Sequence, residues 1–143
     1  MSIKIKLEGF DEMLKRIEEA GGTADRAANS ALSAAAKIMD DELRAQLNAA
    51  TESDLAQRMP HFKINKEGGN YRAEVGFQST PYSPRNPSDY HKAVFLNYGT
   101  PDRKRHGKEA ARGFITRAKR RARPKIKRAQ KEALEKIIQR LQK

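Results

Sequence analysis

HFKINKEGGNYRAEVGF, residues 61–77, is the stretch that decides the fold class. Phe62 and Ile64 alternate with Lys63 and Asn65, and Tyr71, Ala73, Val75 and Phe77 alternate with Arg72, Glu74 and Gly76. A period of two sends successive side chains to opposite faces of a strand. Gly68-Gly69-Asn70 between the runs has the composition of a tight turn, so the stretch predicts a β-hairpin. Most remaining apolar residues recur at helical spacing. A hairpin set among helices predicts an α+β fold, with a small antiparallel sheet packed against an alanine-rich helix and a long C-terminal helix.

Upstream of the hairpin, Ile3, Ile5 and Leu7 alternate with Lys4 and Lys6, the period of a further strand, which Gly9 ends. Phe10, Met13, Leu14 and Ile17 then repeat at helical spacing, with Asp11 and Glu12 in the first turn where the helix dipole favours acids. Gly21-Gly22 breaks this helix and Thr23 is a candidate N-cap for the next. That second helix, over about residues 24–49, carries one apolar stripe of Ala28, Ala31, Leu32, Ala35, Ile38, Met39, Leu43 and Leu47. Its alanine-rich first half suits close approach to another backbone, and its second half supplies volume.

Downstream, STPYSPRNPSD at residues 79–89 holds three prolines and predicts a loop. Ala93, Phe95 and Tyr98 predict a further strand or a short helix, stopped by Gly99-Thr100-Pro101. Residues 102–111 are charged and aperiodic and predict a mobile loop. A helical pattern returns at Phe114 and Ile115 and runs through Ala118, Ala122, Ile126, Ala129, Leu134 and Ile138 to Leu141. Pro124 lies inside it and should kink one helix or divide two. The expected order is β-α-α-β-β-β-α in a single domain over residues 1–143, with mobile loops near 79–89 and 101–112.

The net charge of +12 is unevenly placed. Residues 1–100 hold 13 Lys/Arg against 14 Asp/Glu, and residues 101–131 hold 14 against two. A field concentrated this way speeds encounter with anions and is costly to keep unless something uses it. Arg117, Arg128 and Arg140 are spaced among apolar positions and could lie along the core with their heads in water. Lys119-Arg120-Arg121 with Arg123 and Lys125 is too dense for that reading, because neighbouring charges repel. The cluster predicts an anionic partner. Few aromatics accompany it, so stacking on bases and sequence readout are not expected.

Catalytic patterns are missing. The histidines, His61, His91 and His106, have neither HxH nor HExxH spacing, and no cysteine is present. Gly68-Gly69 does not lead from a strand into a helix, so no phosphate-binding loop is indicated. Ser79, Ser83 and Ser88 sit in a proline-rich stretch without an elbow motif. Asp40-Asp41-Glu42 reads as a solvated helix face rather than a cation site. No apolar run approaches the roughly 18 residues of a membrane span, and the N-terminus lacks the apolar core of a signal peptide. The expectation is a soluble protein with no enzymatic activity, no cofactor, no metal and no membrane association.

AVFLNYGT at residues 93–100 and ARGFITRA at residues 111–118 resemble the signature of the tailed-bacteriophage tail-completion, or head–tail joining, family of neck and minor tail components. In that family an aromatic-rich strand ends in Gly-Thr, a loop follows, and an aromatic-aliphatic-Arg-Pro-Ala motif opens a long C-terminal helix. Phe95, Tyr98, Gly99 and Thr100 match the first part, and Phe114, Ile115 and Ala118 the second. Asn97 stands where an acidic residue is usual, and Gly113 where a proline is usual.

The resemblance implies a structural function: a ring, commonly hexameric, at the head-proximal end of a tail, contacting its own copies and other connector and tail proteins. It also implies a virion location, with assembly in the bacterial host cytoplasm. In this reading Phe95, Tyr98, Gly99 and Thr100 hold the strand-to-loop junction. Arg103, Lys104, Arg105, Arg117, Lys119, Arg120, Arg121 and Arg123 face an acidic neighbouring ring or, transiently and without sequence specificity, DNA. The alternative reading is a non-specific DNA-binding protein using the C-terminal helix against phosphates. A third, weaker one is a nuclease or toxin relying on His61 or His91.

Overall fold

Seven elements follow one another in the computed structural model, which describes residues 2–51, 54–67, 70–98 and 113–142. They are β1 (Ser2–Lys6), α1 (Asp11–Glu19), α2 (Ala24–Ala50), β2 (Lys63–Glu67), β3 (Asn70–Gly76), α3 (Asp89–Tyr98) and α4 (Phe114–Leu141). This is the expected α+β arrangement, with a three-stranded antiparallel sheet in the order β1-β3-β2. The hairpin β2–β3 forms where the alternation placed it, and β1 adds to the other edge of β3.

Ala73 sits at the centre of the sheet, opposite Ile5 on β1 and Ile64 on β2. Its small side chain leaves room for α2, which crosses the same face. Ile3, Ile5, Ala73 and Val75 are buried there against Leu32, Ala35, Ala36, Met39 and Leu43. Complete burial of a leucine-sized side chain stabilises by about 1.5–3 kcal/mol. Lys4 and Lys6 alternate with the two isoleucines and are exposed. The alanines of α2 let α4 pack beside it: Ala118 and Ala122 are fully buried within the same cluster.

A second apolar cluster joins Phe10 and Ile17 to Ala27 and Ala31 of α2 and to Leu134 and Ile138 of α4. Gly22 makes this approach possible. A β-carbon there would lie 2.7 Å from Cγ2 of Ile17 and 2.8 Å from Cδ1 of Leu141. Thr23 occupies the N-cap position of α2, but its side chain makes no capping bond.

Two alternatives left open are decided, and the last strand of the expected order is replaced by a helix. The segment around Ala93, Phe95 and Tyr98 forms helix α3, not the third consecutive strand of the expected order nor the aromatic strand implied by the resemblance. Ser88 starts it: its carbonyl accepts from the Lys92 amide at 3.0 Å and its hydroxyl from the His91 amide at 3.4 Å. Ala93, Leu96 and Asn97 are the buried residues, a helical spacing that the Ala93/Phe95 alternation conceals. Pro124 does not divide the C-terminal helix, which runs unbroken from Phe114 to Leu141. Pro124 and Arg120, four residues before it, are both exposed, so the carbonyl deprived of its donor lies on the hydrated side.

Residues 54–59, for which the sequence offered no reading, form a turn that places Leu55, Ala56 and Met59 over the end of the core. Arg44 fixes it by donating to the carbonyls of Ala56 and, at 3.0 Å, Met59, while its Nε donates to Asp40 at 2.8 Å. Residues 77–88 carry no regular structure, as their prolines require.

Candidate functional site

The first turn of α4 carries no capping bond of its own; Asn97 of α3 supplies it. Its side-chain oxygen accepts the Ile115 amide at 3.0 Å, and its carbonyl accepts the Gly113 amide at 3.1 Å. Phe114, Ile115 and Ala118 are buried immediately beyond. Gly113 enters the helix at φ 58°, a left-handed conformation that glycine tolerates and proline, locked near −65°, cannot adopt. This chain therefore opens its last helix by a backbone route that excludes the proline usual in the resembling pattern. Asn97 fits the same economy: a neutral amide accepts the bond while 5% exposed, with no buried charge to compensate.

Phe95 is half-buried, with its ring edge-on to Tyr82 at 6.1 Å between centroids. His91 lies between Tyr82 and Tyr90, each 4.9 Å away, and its Nδ1 is 3.0 Å from the Ser88 hydroxyl. Tyr98 is 69% exposed. Phe95 and Tyr98 thus sit in the last turn of helix α3 rather than on the strand expected. Gly99, Thr100, Arg103, Lys104 and Arg105 lie outside the described residues, as does His106.

The basic residues of α4 divide by direction. Arg117 turns inward, its Nε donating to Oε1 of Gln46 at 2.9 Å. Lys125 reaches Glu42 of α2 at 2.8 Å, and Lys127 donates to the Glu8 carbonyl at 3.2 Å above the Phe10 ring. Lys119, Arg120, Arg121 and Arg123 are exposed and have no hydrogen-bond or ion-pair partner among the described residues. Spacing of four residues sets Lys119, Arg123 and Lys127 along one side of the helix, facing β1, while Arg120 and Arg121 project away.

Between α4 and β1 lies a groove of about 440 Å³. Lys4 and Lys6 line it from the strand and Lys119, Arg123 and Lys127 from the helix, above a floor that includes Met39 and Ile126. The strand's contribution was not legible in the sequence, because Lys4 and Arg123 lie at opposite ends of the chain. The run of 14 cations at residues 101–131 drew attention to the helix alone.

Three acidic residues of α2 are paired elsewhere. Asp40 holds Arg44, and Glu42 holds Lys125. Asp25, in the first turn of α2, accepts from the Tyr71 hydroxyl and, at 3.0 Å, from Lys66. The Tyr71 bond first, and then Lys66, hold the Asp25 carboxyl below the ordinary carboxylate range, while the bond to Asp25 raises the Tyr71 hydroxyl. Among the described residues no group of three or more His, Asp or Glu side chains converges as a metal site, and no helix is long and apolar enough to cross a membrane.

A search of curated proteins and one of solved structures each return no significant match. Residues 11–99 match the family model described as "Bacteriophage HK97-gp10, putative tail-component". The match covers α1, α2, the hairpin and α3, and stops before α4, so the basic helix is not part of what identifies the family. More than half of the chain lies within the matched span, and the chain belongs to the HK97-gp10-like family of bacteriophage tail components.

Proposed function

We propose that this tail component completes the head-proximal end of the tail as a ring, commonly hexameric in the pattern it resembles, and makes the tail competent to join a filled head. It acts as a single α+β domain over residues 1–143 that binds other connector and tail proteins and catalyses nothing. The irregular segment near 79–89 reaches neighbours when the ring closes. Its place is the virion, reached from the host cytoplasm during assembly.

One observation carries this reading: Lys119, Arg120, Arg121 and Arg123 have no ion-pair partner among the described residues and stand on a helix whose other side is anchored in the core. With Arg103, Lys104 and Arg105 they form the surface offered to an acidic neighbouring ring. The buried side fixes where the charges stand, which suits a defined docking geometry better than a loose arm. Arg117, tied to Gln46, holds the first turns of α4 in place for its neighbours.

The test is charge reversal at Arg120 and Arg121 in the phage gene, scored by plaque titre and by electron microscopy of particles. Unjoined tails and filled heads should accumulate, with the titre down at least tenfold. A normal titre and normal particles would remove the assignment. The density of cations on α4 favours one second reading, non-specific DNA binding. A log–log salt dependence steeper than about −5 on duplex DNA would favour it over ring docking, because each neutralised phosphate releases counterions.

A further inference from the structure

The groove between α4 and β1 combines two features that seldom coincide on a surface with nothing to bind. The first is charge. Lys4, Lys6, Lys119, Arg123 and Lys127 line it, against Glu8 as the one carboxylate. Lys127 is spent on the Glu8 carbonyl, but the other four cations have no ion-pair partner among the described residues. Opposed walls of like charge repel across the gap, and an anion between them relieves both.

The second feature is an open strand edge. Among the described residues β1 is the outer strand of the sheet and pairs only with β3. In an antiparallel ladder, residues alternate between exchanging both backbone bonds with the partner and turning both away. The Lys6 carbonyl accepts from Nε2 of Gln130 at 3.4 Å, so Lys6 belongs to the set turned away from β3. By the same alternation the amide and carbonyl of Lys4, two residues earlier, turn away from β3. Gln130 of α4 closes the Lys6 end of this edge, and among the described residues nothing pairs with the end at Ser2–Lys4.

We propose that this groove is a docking site for an extended, acidic segment of another protein. The segment adds to the open end of β1 through its backbone and places carboxylates between the lysines of the strand and Lys119 and Arg123. Backbone pairing supplies a fixed register, and the two basic walls supply selectivity for Asp- and Glu-rich sequence. A duplex fits the site poorly, since B-DNA offers no backbone that completes a β ladder. A second copy of this chain is also disfavoured: its first 100 residues are close to neutral, and its extended stretch at 77–88 carries Arg85 and three prolines. The inference rests on the proposed function only in taking the partner to be a neighbouring connector or tail protein.

The experiment uses the full chain and a fluorescent eight-residue peptide of alternating glutamate and threonine, followed by anisotropy at moderate salt. Binding is expected, and replacement of the threonines by proline, which removes backbone donors but keeps the charge, should weaken it at least tenfold. The double variant Lys119→Glu/Arg123→Glu should lose at least tenfold, and Arg120→Glu/Arg121→Glu less than threefold. These positions are exposed, and circular dichroism checks that the fold is kept. Equal binding of the proline peptide, equal effects of the two double variants, or tighter binding of a single-stranded oligonucleotide of the same charge would each overturn the assignment. If the peptide fails to bind while reversal at Arg120 and Arg121 still blocks joining, the groove assignment falls and the proposed function stands. If the peptide binds as expected while that reversal leaves joining intact, the groove stands and the proposed function falls.

Discussion

Asn97 does the work of a cap from outside the helix it caps. Gly113, at the N-cap position of α4, has no side chain to offer, so the Ile115 amide depends on an amide oxygen delivered from α3. Asn97→Ala removes this acceptor from a buried site and should cost about 1–2 kcal/mol, within the range for lost caps and unsatisfied buried donors. Urea denaturation should show the midpoint falling with the slope unchanged. Asn97→Asp tests the same contact in the other direction, since a carboxylate gains from the helix dipole but is costly to bury. Gly22 is a second position where a single atom decides packing. No side chain fits between Ile17 and Leu141, which turns a sequence signal for a helix break into a requirement for contact between α1 and the end of α4.

At the scale of elements, what was legible tracks how local the determining pattern is. β1, the hairpin and α2 each carry their period within their own residues, and all three stand where the sequence places them. α3 was ambiguous because it has mixed exposure. Phe95 and Tyr98 drew the eye as aromatics, yet the buried residues are Ala93, Leu96 and Asn97, and the Ser88 start was hidden in a proline-rich loop. Pro124 was ambiguous for another reason: a proline inside a periodic run fixes a local cost, not its consequence. Packing of Ala118, Ala122 and Leu134 on either side holds α4 together across it. Pro124→Ala should therefore stabilise. The missing backbone bond and the ring clash are worth about 3 kcal/mol in a helix interior, offset by about 1 kcal/mol of added freedom in the unfolded chain. A rise in the guanidinium midpoint equivalent to about 1–2 kcal/mol is expected, and no rise would mean that α4 already accommodates the ring without loss.

Across the whole molecule, the sheet and the helices are tied by contacts between residues far apart in the chain, which a reading along the sequence does not reach. Asp25 with Tyr71 and Lys66 is one such tie, joining the first turn of α2 to the hairpin. Its pH dependence has a defined sign. The Asp25 carboxyl is held below its unfolded value, so the stability it contributes is present above that value and is lost as pH falls through the lower, folded one. Melting curves of the native chain and of Asp25→Asn should differ at pH 7 and converge as pH falls through the lowered, folded Asp25 value, where both side chains become neutral. A difference that persists in acid would assign the effect to something other than the carboxylate. The basic groove has the same non-local origin. Composition revealed the cations of α4, but only the fold brings Lys4 and Lys6 opposite them.

The two bonds that Asn97 makes also bear on how such a protein can change over generations. They fasten residue 97 to residues 113 and 115, so the last helix is seated by the helix at which the recognisable family span ends. The basic surface of α4 lies outside that span, on a helix whose start the family scaffold itself fixes. A fold built this way can hold its scaffold constant while the adjoining surface follows a diverging partner.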